Sequence, residues 1–304
     1  MTRRLVESVP NISEGRDQAV IDKLMASVQS VGKVALLDVH VDPDHHRSVF
    51  TIAGEPEAMS TALFGLVRNA QCCIDLRMHE GGHPRIGAVD VVPWIPLQDV
   101  TMEECIDYAK ALGSRVGAEL GIPVFLYEQA SMVDSRRKLE VIRRGGLPAL
   151  QERMNHQEGW KPDYGSESLH PSCGAMVTGA RFYLIAFNVV LDSGNLNFAR
   201  HIAETIRESG GGLPALKALG VSLPSRGLVQ VSMNLVDFRR TSLRAAYEAV
   251  EQEAQKRGIN IFESEIVGML PQAAWDDHMC EDLKLSHGGA TQIIEVSLAQ
   301  QAMV

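Results

Sequence analysis

The chain has 304 residues, 45% hydrophobic and 22% charged, which is ordinary globular composition and enough for two domains or one large one. Its formal net charge of −9 and pI of about 5.6 argue against a nucleic-acid partner, while leaving room for an arginine cluster that holds a small anion. Five cysteines, an odd number with no C-x-x-C spacing, exclude a disulfide framework or structural zinc site and fit a reducing cytoplasm. The N-terminus lacks a signal-peptide run, and no stretch of about 20 apolar residues suggests a membrane span.

In chain order, "RLVESVP" alternates like a strand and "NISEG" breaks it. A helix follows from Asp17, with Val20, Ile21, Leu24, Met25, Val28 and Val31 on one face. "KVALLDVHV" and "RSVFTIAG" read as strands joined by the turn-rich "DPDHH". Pro56 suits the first turn of a helix whose stripe is Met59, Leu63, Leu66, Val67 and Ala70. The apolar "VDVVPWIP" comes next, then a candidate capping box, Thr101 with Glu104, and a helix turning Cys105, Ile106, Ala109, Leu112 and Val116 inward. "IPVFLY" is a further strand. The order βαββαβ predicts a split βαβ sheet with helices on one face, an α/β (α+β) class.

From Ser131 to Thr178 the character changes. "DSRRKLEVIRRGG" is basic, and "GWKPDYGSESLHPSCGAMVTG" reads as a long polar loop. A second α/β unit follows. Its strand candidates are "FYLIAFNVVL", "LVQVSMNLVDF", "NIFESEIVGML" and "TQIIEVSLA", with a helix from Thr241 to Arg257. "SGGGLPALKALG" lacks the lysine and serine of a phosphate loop and reads as a connection.

"HEGGHPRIGAVD", His79 to Asp90, begins with the zinc-protease pattern H-E-x-x-H. That pattern needs a helix to aim both imidazoles at one ion. Gly81 and Gly82 each cost roughly 1 kcal/mol in a helix interior, and Pro84 disfavours α geometry at His83. The stretch is therefore read as a metal-free loop. A loop histidine can take and return a proton near neutral pH, or simply be solvated. "HVDPDHHR" allows a metal site or a solvated hairpin tip, and the turn composition favours the tip; Arg47 has a salt bridge as its default role. The arginines of "DSRRK" and "RRGG" suit a solvated helix face, though one could grip a carboxylate bidentately. "GSESLHPSCG", Gly165 to Gly174, is either a polar ligand loop or a linker.

Together these residues resemble the formiminotransferase family. The stretches are "VESVPNISEGR", "LLDVHVDPDHHRSVFTIAGEPEA", "HEGGHPRIGAVDVVPWIPL", "GIPVFLYEQA" with "DSRRKL", "PDYGSESLHPSCGAMVTGAR", "LIAFNVVL", "VQVSMNLVDF" and "EIVGMLP", which cover nearly the whole chain in order. The resemblance implies an N-terminal subdomain (1–179) and a C-terminal one (180–304). It implies that their sheets pack together, with helices outside and a ligand groove between. It also implies transfer of a formimino group from N-formimino-L-glutamate to N5 of tetrahydrofolate, in histidine degradation, by a cytoplasmic homodimer that uses tetrahydrofolate as co-substrate and no metal. By the resemblance His83 is the catalytic residue. The folate loop is Gly165, Ser166, Glu167, Ser168, Leu169, His170, Pro171, Ser172, Cys173 and Gly174. His40, Arg47, Gly82 and Arg85 are candidate site-lining residues. The chain departs from the family at His40 and Gly82, where the family commonly carries acids. Two alternatives to transfer from formiminoglutamate follow: another formimino or formyl donor, or a folate-binding homologue without transfer activity.

Overall fold

The computed structural model describes residues 4–43, 45–80, 85–286 and 290–301. Two compact units divide it, Met1–Arg181 and Phe182–Val304.

The first unit runs β1 (Leu5–Ser8), β2 (Asn11–Ile12), α1 (Gln18–Gln29), β3 (Val34–Asp42), β4 (Arg47–Gly54), α2 (Pro56–Cys73), β5 (Val89–Gln98), α3 (Met102–Leu120), β6 (Val124–Glu128), α4 (Leu139–Arg143), α5 (Gly146–His156) and β7 (Met176–Ala180). β1 and β2 are two pieces of one interrupted strand, since each pairs antiparallel with β4 and with β5. β3 flanks β4, and beyond β5 lie β7 and then β6, both parallel. The expected βαββαβ unit is therefore present, with the order of a split βαβ sheet, and two parallel strands extend it.

Local sequence explains the helices. Asp17 caps α1 by accepting from the Ala19 and Val20 amides, and Ile21, Leu24 and Val28 are spaced to fall on its buried face. Pro56 opens α2. Thr101 and Glu104 form the capping box of α3, which ends at Gly121 in the left-handed region. The three helices pack on one face of the sheet, over Ile12, Phe50, Val92 and Trp94. Truncating a core residue there, such as Leu24→Ala, costs about 2–5 kcal/mol.

One expectation needs correcting: not all helices lie on that face. α4 and α5 place Ile142, Leu150 and Met154 against Val91, Phe125, Tyr127 and Val177 on the opposite face. The cause is the parallel extension, whose strands are apolar on both sides and need two covers.

The second unit is β8 (Ile185–Leu191), α6 (Leu196–Ile206), β9 (Leu216–Leu223), β10 (Leu228–Leu235), α7 (Leu243–Gln255), β11 (Ile261–Val267), α8 (Met279–Asp282) and α9 (Ile294–Gln301). Its sheet order, β11-β8-β10-β9 with every pair antiparallel, is again a split βαβ. α6 and α7 cover one face through Ala199, Ile202, Ala246 and Val250. Two segments differ from expectation. "LKALG", read as connection, is the start of β9, and "TQIIEVSLA", read as a strand, is a short helical turn followed by α9. Among the described residues, no helix is long and apolar enough to cross a membrane.

Candidate functional site

The sheet face of the first unit away from α1–α3 carries the polar residues. β3 and β4 are in register Asp42↔Arg47 and His40↔Val49, so alternation puts these four residues on one face, opposite the buried Phe50 and Ile52. His40 is exposed there. It is near enough to Asp38 to offset part of the burial that raises the Asp38 carboxyl.

Four separate segments are stitched together at the end of this sheet. Ser13 hydrogen-bonds to the Ala88 and Gly87 carbonyls, through its amide at 2.8 Å and its hydroxyl at 2.7 Å. Gly15 lies so close to the β3–β4 hairpin that a Cβ there would sit 2.5 Å from the Arg47 nitrogen and the Asp42 oxygen. The Ala88 amide donates to Cys173 O at 2.9 Å, and the Ala175 amide to Ile86 O at 2.7 Å. The expected histidine loop and the Gly165–Gly174 loop are thus bonded to each other.

Glu14 organises one part of the cluster. One of its oxygens accepts the amides of Gly15, Arg16 and Asp17 at 2.8–3.0 Å, and His46 Nε2 lies 3.0 Å from the same atom. Burial alone would raise this carboxyl, but those amides and His46 outweigh it and hold it below its ordinary value. His46 has φ +49, in the left-handed region, which costs a non-glycine residue about 1–3 kcal/mol. Its ring stacks on His79. The tip of this hairpin is therefore not simply solvated, as its turn composition suggested. Only 13% of the His46 side chain is exposed, while His45, bound to Asp42, is 41% exposed.

His79 has extended backbone, φ −100 and ψ 122, just after a short helical turn at Leu76–Met78. The helix that H-E-x-x-H zinc binding requires does not start here. His79 Nε2 is 3.1 Å from His46 O, and Arg85 Nη1 lies against the ring. A neutral tautomer protonated on Nε2 donates to His46 O and leaves Nδ1 to accept from Arg85. Burial, Arg85 and His46 together pull His79 down to about 4. Arg85 also donates to His46 O at 3.2 Å and His45 O at 2.7 Å, which fixes the hairpin tip.

His83 and Gly82, with Gly81 and Pro84, lie outside the described residues. Of the other candidate lining residues, Arg47 and Arg85 share a shallow indentation with Asn11, Ile12, Ser13 and Asp90. His40 lies on the same face but not in that lining.

In the candidate folate loop, Gly165 to Ser168 and Pro171 are exposed, Leu169, His170 and Ser172 are half-buried, and Cys173 and Gly174 are buried. The His170 amide and carbonyl pair with Gly174, and its Nε2 faces Gln71 Nε2 at 3.1 Å. The Leu169 amide donates to Gln151 on α5 at 3.0 Å. One basic residue of "DSRRK" does grip a carboxylate, but an internal one. Arg136 holds Asp163 with two hydrogen bonds, 2.7 and 2.9 Å, and both side chains are almost fully buried.

Glu14 and Asp90 were not singled out from the sequence, whereas His46 belongs to "HVDPDHHR" and Arg143 to "RRGG", whose arginines were read as on a solvated face or able to grip a carboxylate. Asp90 accepts the Ile86 amide at 2.7 Å and the Arg143 guanidinium, joining the histidine loop to α4. The local hints were the density of polar residues in "NISEGR" and "DPDHHR" and the basic run "RRGG". Among the described residues, no group of three or more His, Cys, Asp and Glu is arranged to hold a metal.

Two split βαβ units, one with a polar, histidine-rich sheet end, define an α/β protein with an enzyme-like site. The model of the formiminotransferase domain, N-terminal subdomain, matches residues 5–181, and that of the formiminotransferase domain matches 186–284. The chain belongs to the formiminotransferase family and is a transferase. It is 44% identical to a glutamate formimidoyltransferase of Streptococcus pyogenes serotype M1, over 90% of this chain and 91% of that one. A glutamate formimidoyltransferase of Thermoplasma acidophilum is 42% identical over 98% of both chains. The formimidoyltransferase-cyclodeaminase of Rattus norvegicus is 43% identical over 89% of this chain, which spans 51% of that protein.

Proposed function

We propose that this protein transfers the formimino group of N-formimino-L-glutamate to N5 of tetrahydrofolate, a step of histidine degradation, as a cytoplasmic homodimer without a metal. The observation that carries the reading is the hydrogen-bonded junction of the Ile86–Ala88 segment with Cys173–Ala175. It brings the segment that follows His83 to the candidate folate loop, in a chain that resembles two glutamate formimidoyltransferases over nearly its full length.

N5 attacks the electrophilic formimino carbon, and a new N5–C bond forms. The tetrahedral adduct loses a proton from N5, and the C–N bond to glutamate breaks as that nitrogen is protonated. His83 serves both events as acceptor and then donor, which a group near pKa 6.5 does well at neutral pH. Holding two substrates in place supplies much of the remaining rate. The products are 5-formiminotetrahydrofolate and glutamate.

The test is incubation of purified protein with tetrahydrofolate and formiminoglutamate, followed by absorbance and mass. Stoichiometric formation of 5-formiminotetrahydrofolate is expected. Binding of folate without product from this donor sinks the assignment. Two alternatives rest on His40 and Gly82 standing where the family commonly carries acids. Product from another formimino or formyl donor identifies a different substrate, and none from any donor leaves a folate-binding homologue.

A further inference from the structure

The two sheets end in four edge strands, β3 and β6 in the first unit and β11 and β9 in the second. Three of them are covered or blunted. β6 is closed by Tyr164, Asp163 and Arg137, which accept the Val124, Leu126 and Glu128 amides. β11 is closed by residues 284–286, since the Ser264 amide donates to Lys284 O at 2.8 Å and the Ser286 amide to Ser264 O at 2.9 Å. β3 carries Asp38, His40 and Asp42 and a register shift between Leu36 and Asp38, devices that keep an edge from pairing. β9 has neither cover nor bulge. Its eight residues keep one unbroken register with β10, no proline interrupts them, and Leu219 at mid-strand is 65% exposed. Among the described residues, no hydrogen bond outside the β10 ladder reaches residues 218–223. A long, regular, apolar edge of this kind is a template for another strand.

The helix beside this edge carries the complementary charge. β8 and β9 both run antiparallel to β10, so they are parallel to each other, and a crossover between parallel strands is right-handed. α6 therefore returns antiparallel to β9. Its buried row is Ala199, Ile202, Ala203 and Ile206, which turns Arg200 and Glu204 toward the free edge. Both are exposed, and among the described residues neither makes an ion pair. α6 crosses so closely that a Cβ on Gly220 would lie 2.3 Å from the Arg200 nitrogen, so residue 200 stands level with residue 220.

We propose that β9 pairs antiparallel with β9 of a second copy of this chain, about a twofold axis at Leu219, and so joins two four-stranded sheets into one. Opposed residues share a sheet face, so the axis passes through a residue and not between two. The charges on α6 select which residue. One strand residue, about 3.3 Å, spans about two residues of the antiparallel helix. An axis at Leu219 is then level with Ile202, and Arg200 of each copy meets Glu204 of the other. An axis at Gly220 would set Arg200 against its own copy, and one at Ala218 would do the same to Glu204. Only the Leu219 axis is complementary. On the sheet face away from α6 it sets the two exposed Leu219 side chains opposite each other and places Lys217 across from Val221. This gives the homodimer of the reading above its surface, and it does not depend on the transfer reaction.

Sedimentation of the whole chain over a concentration series measures the monomer–dimer equilibrium. The wild type should be dimeric at micromolar concentration. Leu219→Lys sets two lysines across the axis and should raise the dissociation constant by about tenfold or more, as should Arg200→Glu. Arg200→Glu combined with Glu204→Arg reverses both partners and should recover most of the affinity. Circular dichroism checks that these variants, all at exposed positions, remain folded. Cross-linking reads the register. Opposed residues have Cβ atoms about 4.5–5.5 Å apart, so Leu219→Cys should form a disulfide between copies under mild oxidation. Val221→Cys should not, because its two copies lie roughly 13 Å apart along the strands. A monomeric wild type overturns the proposal. So does a dimer that Leu219→Lys and Arg200→Glu leave unchanged, which would move the homodimer to another face. A disulfide from Val221→Cys and none from Leu219→Cys overturns the axis. Because every readout is association, a protein that transfers no formimino group yet shows the expected pattern sinks the transferase reading and leaves the β9 interface standing.

Discussion

The imidazole rings of His46 and His79 stack with centroids 3.8 Å apart and planes inclined by 25°. Two stacked cations at that distance repel, and Arg85 adds a third charge beside His79. The arrangement therefore keeps His79 neutral, as its depressed value of about 4 expresses. A neutral His79 can hold Arg85 and the His46 carbonyl at the same time, and so it fixes the hairpin tip relative to the segment that runs on to His83.

A pH dependence of stability follows. The unfolded chain protonates His79 near pH 6.5, and the folded chain only near 4. Between these values the unfolded state binds more protons, so stability rises with pH there. The contribution of His79 is complete above about pH 6.5, is lost as pH falls toward 4, and is flat below. Urea unfolding of the wild type and of His79→Gln across pH 4–7.5 should show a shallower slope in the variant. Equal slopes would mean that His79 titrates normally in the fold.

The buried pair Arg136–Asp163 makes a second prediction. Arg136 also donates to Gly159 O at 2.8 Å, and Asp163 accepts the Leu126 amide at 2.7 Å. The pair thus ties the run before Gly165 to β6. Removing one partner leaves a buried charge alone, so Arg136→Met or Asp163→Asn should cost about 3–5 kcal/mol in urea unfolding. The double variant should recover part of the loss. A cost below about 1 kcal/mol for either single variant would show that the loop is held by other contacts.

Much of the fold was legible because caps and stripes are local. Asp17, Pro56 and the Thr101–Glu104 box mark helix starts within a few residues, and α1–α3 begin where those signals stand. β7 was hidden inside what reads as a loop, because "MVTGA" is short and small-residued and becomes a strand only between β5 and β6. β9 was missed for a related reason: it pairs with β10 along its whole length, from Leu216↔Leu235 to Leu223↔Leu228, and no local pattern announces this. "TQIIEVSLA" looks like a strand by its β-branched residues, yet it is helical with Ile293 and Ile294 buried. The Glu14–His46 contact spans 32 residues of sequence, and His46–His79 joins loops from different parts of the sheet. Periodicity within a helix or strand cannot reveal either.

Gly174 supplies a third prediction. Its φ is +67, and a Cβ there would lie 2.3 Å from Ile86 O, in the bridge that joins the candidate folate loop to the histidine loop. Gly174→Ala must either strain or open that bridge, at a cost of order 1–3 kcal/mol. If the Gly165–Gly174 loop seats the folate, calorimetric affinity for folinic acid should fall by at least tenfold. Wild-type affinity in a folded variant would place the folate elsewhere.

The last prediction concerns His83. As the proton carrier, it should be worth roughly 10² to 10⁴ in turnover, read from His83→Ala in the transfer assay. Affinity for folinic acid should change little, because the ring acts on the proton and not chiefly on binding. The wild-type rate should show one pH limb set by an imidazole, within about a unit of 6.5. His40 complicates this reading, because it lies on the same sheet face as Asp42 and Arg47 and could add a limb of its own. His79 is a poorer source, since it is held near 4. His40→Asp restores the acid that the family commonly carries and removes one imidazole. A limb that belongs to His40 vanishes in that variant, whereas one that belongs to His83 persists. Turnover of His83→Ala at the wild-type rate would transfer the proton-carrying role to another residue, and a limb abolished by His40→Asp would make His40 the first candidate.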